Sequence, residues 1–309
     1  MTLIAAEDTR AGPEAAVPDV SVIIPAYNEA EGIGGTLDEL LGVLGPSGRR
    51  YEVLLVDDGS EDGTGEAAAR DNVRVLRHRR NRGYGSALKT GVVAARAPVV
   101  AFYDGDGQFR GADLERLLDE MDKEGADAAL GNRTRDSHTP LSRKGPKRVL
   151  GWYANYLSRM KIPDLNCGLR AFRREILLDY LHLLPSGFSA SSTTTLIFLK
   201  EGHEVVFVPV TTVKRVGKST VRPLKHGVET AMLVMRLTTL FDPFRVFGPV
   251  SLILFLLGLG WGLRYVIQGR GLSVAALFLL TSAVLVFLFG LLTDQVAALR
   301  RERRYSSRR

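Results

Sequence analysis

Three short acidic turns carry the residues best suited to chemistry. Asp104-Gly105-Asp106-Gly107-Gln108 sets two carboxylates one residue apart with a carboxamide beside them. Asp57-Asp58-Gly59-Ser60 adds two more acids, and Pro25-Ala26-Tyr27-Asn28-Glu29 supplies an aromatic ring and a glutamate. Carboxylates gathered this closely repel one another unless a cation or hydrogen-bond donors offset them. Hard cations such as Mg²⁺ or Mn²⁺ take oxygen ligands and complete their shell with water and substrate phosphates. A solvated acidic turn is the plain alternative for any one of these stretches, since Asp and Gly both favour turns. Three such turns at comparable places in the chain point instead to one site.

The elements that must position them alternate. Val20–Ile24 is a continuous apolar, β-branched run that ends at Pro25, as an interior parallel strand does. Ala30–Leu44 has helical periodicity and closes at Gly45-Pro46. Strands follow at Glu52–Val56, Val73–Leu76, Val99–Tyr103 and Ala126–Leu130, with helices at Thr64–Asn72, Ser86–Ala95 and Ala112–Glu124. Repeated β-α units predict an α/β fold with a parallel sheet and flanking helices. Ligands of such sheets bind beyond the carboxyl ends of the strands, where the three acidic turns fall. Asn81-Arg82-Gly83-Tyr84-Gly85-Ser86 follows the third strand, not the first, so it is not a dinucleotide fingerprint. Its glycines still present backbone N–H groups to an anion.

The C-terminal part is of another kind. Leu272–Leu292 holds 21 residues without a charge, and Val246–Leu263 is an uncharged run of 18 that extends to Ile267 if Arg264 snorkels. About 20 apolar residues span a bilayer's hydrocarbon core as a helix. Two transmembrane helices, about 246–267 and 272–292, therefore form a hairpin that returns the chain to its starting side. Residues 299–309 hold six arginines and one glutamate, +5 of the chain's net +7. By the positive-inside rule this basic tail, 294–309, is expected to be cytoplasmic, and so are the α/β region and both termini of a two-span membrane protein. Pro223–Phe244 shows a broad apolar face and predicts a juxtamembrane amphipathic helix over 222–245. Residues 1–17 read as a flexible tail without an apolar stretch.

The chain has 309 residues, 45% of them hydrophobic, which excludes wholesale disorder. Its single cysteine, Cys167, excludes an internal disulfide framework. Because the positive charge is concentrated at one end and no recognition motif is present, nucleic acid is not an expected partner.

In order, PAYNE, VDDGS, NRGYGSALKTG and DGDGQF resemble the family 2 glycosyltransferases of the GT-A fold. Within that family the resemblance is to the dolichyl- and polyprenyl-phosphate sugar synthases. It runs on through Gly131-Asn132-Arg133, Asp164–Phe172 and Arg215-Val216-Gly217-Lys218-Ser219, covering a catalytic domain over 18–221. The resemblance implies that Pro25, Tyr27, Glu29 and Asp57 line a nucleotide pocket. It implies that Asp104, Asp106 and Gln108, with Gly105 between them, hold Mg²⁺ or Mn²⁺ and the donor diphosphate. Asp106, Arg215 and Lys218 would be catalytic, and Arg133, Lys147, Arg148, Arg170 and Arg215 would meet the acceptor phosphate. Trp152, Tyr153 and Tyr156 suit a headgroup-level acceptor segment.

There are departures. Cys167 stands where serine or another small residue is usual, Leu169 where phenylalanine is, and Ser189–Thr195 lacks a carboxylate often found there. The implied reaction is inverting transfer of one hexose, from a GDP-mannose or UDP-glucose type donor, to a polyprenyl phosphate in the bilayer. Rival readings are a family 2 transferase with a soluble glycan or protein acceptor, a processive polysaccharide synthase, and a non-catalytic nucleotide-binding scaffold. A two-span anchor is also compatible with a homo-oligomer.

Overall fold

A computed structural model describes residues 17–134, 162–213, 242–271 and 273–307, with Met232, Met235, Thr238 and Thr239. Beyond residue 299 only the backbone is described. Contacts divide the chain into two units, one holding the described residues up to Val213 and the other those from Met232 onward.

The first unit is built on seven strands: β1 (Val20–Ala26), β2 (Tyr51–Asp57), β3 (Val73–Arg77), β4 (Val99–Phe102), β5 (Ala128–Arg133), β6 (Arg170–Arg173) and β7 (Val205–Val210). They lie in the order β3-β2-β1-β4-β6-β5-β7. Pairing is parallel everywhere except at β6, which runs antiparallel to both β4 and β5. All seven residues of β1 are buried, which is why its sequence is apolar without alternation.

The helices are α1 (Ala30–Leu44), α2 (Thr64–Ala67), α3 (Tyr84–Ala94), α4 (Gly111–Lys123), α5 (Arg174–Tyr180) and α6 (Ala190–Lys200). On one face, Val20, Val22 and Ile24 of β1 share a core with Ile33, Leu37 and Leu40 of α1 and Leu114, Leu117 and Leu118 of α4. On the other face Ile23 meets α3 at Gly91, where a Cβ would stand 2.3 Å from the isoleucine methyl. Phe102, Phe172 and Phe198 continue the packing, with ring centroids 5.2 and 5.0 Å apart along the series.

The five strands and four helices expected from the sequence are present, α1 with the expected bounds and the others with shifted ends. The helix expected over Thr64–Asn72 closes after Ala67, at an Ala68 whose N–H bonds back to Thr64. β6 and β7 complete the sheet. β6 reads Arg-Ala-Phe-Arg, which carries no strand signal, although it occupies an interior place.

The second unit is a hairpin of α7 (Phe244–Ile267) and α8 (Val274–Ser307). Both are long and apolar enough to cross a membrane, with mean hydropathy 2.0 and 2.6 over their apolar windows. The facing surfaces are made by small residues. Gly258 lies against Leu279 and Leu280, Gly262 against Ala276, and Gly290 against Phe247, so the two backbones approach closely. Leu252, Ile253, Leu256, Leu257, Phe278 and Phe289 point outward and are exposed in the isolated chain. The sequence reading ends the second span at Leu292, whereas α8 continues as helix to Ser307. No Gly or Pro follows Gly290, and Ala, Leu, Arg and Glu are strong helix formers. Of the expected juxtamembrane helix, Met232, Met235, Thr238 and Thr239 are helical and the remainder up to Phe241 lies outside the described residues.

Candidate active site

The parallel register brings the acidic turns together. Ala26 of β1 pairs with Asp57 of β2, and Asp57 with Arg77 of β3. The turn after β1 is tied to the turn after β2 twice, by Asn28 N–H to Ser60 Oγ (3.0 Å) and Glu61 N–H to Asn28 Oδ1 (3.0 Å). Asn28 itself adopts a left-handed φ of 53°, which Asn tolerates better than most residues.

A cavity of about 510 Å³ opens beside these turns, lined by Tyr27, Ser60, Glu61, Arg77, His78 and Asn81 among others. Tyr27 is where the sequence places it. Asp57 is not: it is fully buried and stands behind the cavity wall. Its Oδ1 accepts from Ser60 N–H (2.8 Å) and its Oδ2 lies 3.2 Å from Arg77 Nε. Asp57 therefore holds two residues of the lining, and Arg77 lines the space together with Glu61, Arg79 and Arg80. Pro25 is buried within β1, and Glu29 is half-buried with its N–H on Thr64 Oγ1 (2.9 Å).

Asp58 has a role the sequence reading did not assign. Its carboxylate accepts from the backbone N–H groups of Arg82 (2.9 Å) and Gly83 (2.7 Å), and meets His78 Nδ1 at 2.6 Å. It thereby ties the glycine-rich turn before α3 to the end of β2. His78 Nε2 reaches Thr90 Oγ1 at 2.9 Å, extending the tie into α3. The signal was a second acid directly after the strand, in a motif whose first acid is usually credited with the work.

The turn after β4 holds Asp104, Asp106 and Gln108, all half-buried, with Gly105 buried between them. Burial, with the charge of Asp106 next, pushes the Asp104 carboxyl up to about 6; Tyr84, Arg133 and Arg170 oppose that rise. Tyr84 donates to Asp104 Oδ1 at 2.9 Å. Burial and the nearby Asp104 charge hold the Tyr84 hydroxyl well above its ordinary pKa, so it keeps its proton. On the other side, a Cβ at Gly168 would stand 1.9 Å from Asp104 Oδ2. Only glycine allows that backbone to close on the carboxylate. Gln108 N–H bonds to Asp106 Oδ1 (3.1 Å), and the Gln108 carbonyl accepts from Val213 N–H (3.0 Å).

Two carboxylates and a carboxamide suit a hard divalent cation that shares its shell with water and a diphosphate. Among the described residues no group of three or more His, Cys, Asp or Glu could hold a metal without such help.

The basic residues divide. Arg133 forms a bidentate fork with Asp164, Nε to Oδ2 at 2.6 Å and Nη2 to Oδ1 at 2.9 Å, which leaves Nη1 outside the pair. Burial works against its charge, but the Asp164 fork outweighs burial and the guanidinium pKa stands above its ordinary value. Arg170 was expected at the acceptor phosphate, and the structure corrects this. The side chain is fully buried and donates to the carbonyls of Leu165, Cys167 and Ser191 and to Thr194 and Thr195 Oγ1. It presents no exposed donor and acts as a clamp between the 165–168 loop and α6. Cys167 is buried with its thiol pushed up to about 11, chiefly by burial, which suits packing and not nucleophilic attack. Lys147, Arg148, Arg215 and Lys218, like Trp152, Tyr153 and Tyr156, lie outside the described residues.

Known proteins match both units. The profile of Glycosyl transferase family 2 matches residues 21–181, and that of the GtrB C-terminal hairpin matches 242–299. The chain is 32% identical to polyprenol monophosphomannose synthase of Mycolicibacterium smegmatis, over 63% of this chain and 77% of that protein. It is 28% identical to undecaprenyl-phosphate 4-deoxy-4-formamido-L-arabinose transferase of Edwardsiella ictaluri, over 90% of this chain and 88% of the relative. Among solved structures, glucosyl-3-phosphoglycerate synthase from Mycobacterium tuberculosis, in complex with Mn²⁺, uridine-diphosphate and phosphoglyceric acid, shares the fold. Its TM-score is 0.55 at 20% identity, covering 71% of this chain and 77% of that one. With a GT-A-like sheet, acidic turns at its strand ends and matches to both units, the chain belongs to glycosyl transferase family 2 and is a glycosyltransferase with a GtrB-type C-terminal hairpin.

Proposed function

We propose that the protein transfers a single hexose from a nucleotide sugar, of the GDP-mannose or UDP-glucose type, to a polyprenyl phosphate at the cytoplasmic membrane face. The product would be a polyprenyl-phosphate sugar with inverted anomeric configuration. The observation that carries this reading is the Asp104–Asp106 turn, clamped by Tyr84 and Gly168, in a chain that also bears a membrane-length hairpin. Relatives whose names specify polyprenyl-phosphate products or acceptors support the acceptor class.

In this reading the cavity beside Tyr27 and Arg77 takes the nucleotide. Asp104, Asp106 and Gln108 hold Mg²⁺ or Mn²⁺, which would neutralise charge on the departing diphosphate. The glycine-rich turn is held by Asp58, which takes up the N–H groups of Arg82 and Gly83, while the Gly85 N–H goes to Ser186 O, so these amides serve the fold and not a ligand. Helix α6 contributes hydroxyls and no carboxylate: Ser191, Thr194 and Thr195 are buried around Arg170. A phosphate acceptor is already ionised at neutral pH and needs no side chain to remove a proton from it. The protein's share is then alignment of that oxygen with the anomeric carbon and stabilisation of the leaving group. Among the described residues assigned to this task Arg133 acts on Asp104 through its charge, and Arg215 and Lys218 follow Val213 in sequence. The hairpin confines enzyme and lipid to one layer, which raises their effective concentration.

Asp106→Asn is the direct test. It should reduce sugar transfer by at least about 10²-fold, as loss of a key electrostatic contact does, while the melting temperature stays near that of the unaltered protein. Near-normal turnover in a folded Asp106→Asn protein contradicts the assignment.

A further inference from the structure

Tyr84 lies in the glycine-rich turn, and neither the sequence motifs nor the reaction outlined above gives its side chain a task. Its hydroxyl donates to Asp104 Oδ1 at 2.9 Å. An ionised carboxylate can only accept, so the tyrosine proton is directed at it.

The ring is held as firmly as the hydroxyl. It stacks on Phe188, with centroids 5.4 Å apart and planes inclined by 21°. The two loops that carry these rings are joined through their backbones: Gly85 N–H donates to Ser186 O at 2.8 Å. A Cβ at Gly85 would lie 2.1 Å from Pro185 O, so the approach admits no side chain there. Phe188 itself is 43% exposed. On the far side of the carboxylate, the Gly168 backbone closes on Asp104 Oδ2.

We propose that Tyr84 is a positioning residue. Held by Phe188 and by the joined 83–86 and 185–188 loops, it fixes the Asp104 carboxylate in one orientation for the divalent cation and donor diphosphate. This rests on the assignment of Asp104 and Asp106 to that cation. A carboxylate free to rotate must be ordered when the cation arrives, and a carboxylate already held need not be. Removing the hydroxyl should therefore weaken cation binding and leave the rate at saturating cation largely intact.

The test is Mn²⁺ binding by the full-length protein in nanodiscs, followed by electron paramagnetic resonance, with UDP and in parallel with GDP. Tyr84→Phe should weaken Mn²⁺ binding about tenfold, the lower end for a hydrogen bond to a charged group. Its kcat at saturating Mn²⁺ should stay within about twofold, and its melting temperature should be unchanged. Phe188→Leu, altered at an exposed ring, should weaken binding by a smaller factor, and it provides the test if Tyr84→Phe does not fold. Asp106→Asn should lose Mn²⁺ binding altogether. If Tyr84→Phe and Phe188→Leu titrate like the unaltered protein while Asp106→Asn does not, the role of Tyr84 is overturned and the metal assignment stands. If Asp106→Asn binds Mn²⁺ normally, the metal assignment fails and the inference fails with it.

Discussion

Arg170 shows how far a residue's type can mislead about its place. An arginine in a glycosyltransferase motif suggests a phosphate ligand, yet this one is fully buried and satisfies three backbone carbonyls and two threonine hydroxyls. Nothing in Asn-Cys-Gly-Leu-Arg-Ala-Phe distinguishes the two roles, because burial depends on α6, which arrives some twenty residues later. The acceptors on α6 were visible as Ser189–Thr195, a hydroxyl-rich run that reads as polar surface until a buried cation is known to need it. Arg170→Met should destabilise the protein by roughly 3–5 kcal/mol, because it leaves the carbonyls of Leu165 and Cys167 buried without donors. Denaturant or thermal unfolding of the full-length protein would measure this. A variant of unaltered stability that failed only with the acceptor would restore the phosphate role. Asp104 and Asp106 were legible for the opposite reason: two acids one residue apart after an interior strand have few structural uses.

The strands were legible where physics makes them so. Interior parallel strands are apolar on both faces, and β1, β2 and β4 announce themselves by continuous β-branched runs. β6 is interior too, but its partners are antiparallel and its Arg170 finds acceptors within the fold, so its sequence carries no such run. β7 (VVFVPV) had the signal, and its Pro209 marks it correctly as an edge strand. In the hairpin, composition gave both helices and the small residues Gly258, Gly262 and Gly290 now explain how they pack. What composition could not give is where α8 stops. The hairpin's sidedness follows from its charges: the Gln268–Gly271 turn should face away from the cytoplasm and the arginine-rich end toward it. With Cys167 replaced by serine, Arg270→Cys should react with an impermeant maleimide in intact cells. Asn72→Cys, exposed on the first unit, should react only in inverted vesicles. Labelling of both from the same side would contradict this topology.

Taken together, the molecule has two units with separate duties: a sheet whose strand ends gather the acidic turns, and a hairpin of membrane length. The family and the general chemistry could be read from motifs in register. The choice of sugar could not, because no single motif in the sequence specifies a hexose, and Lys147, Arg148, Arg215 and Lys218 lie outside the described residues. Joining a phosphate-handling site to a membrane hairpin makes sense if the acceptor is a lipid that carries its own ionised nucleophile. The most direct measurement supplies purified full-length protein in nanodiscs with Mn²⁺ or Mg²⁺, a polyprenyl phosphate and a panel of UDP- and GDP-sugars, and follows the lipid by mass spectrometry. The account predicts a polyprenyl phosphate heavier by one hexose with one of these donors, and no second addition. Nucleotide release without any change in the lipid would contradict the acceptor assignment, and no turnover with any donor would contradict the proposed transfer itself.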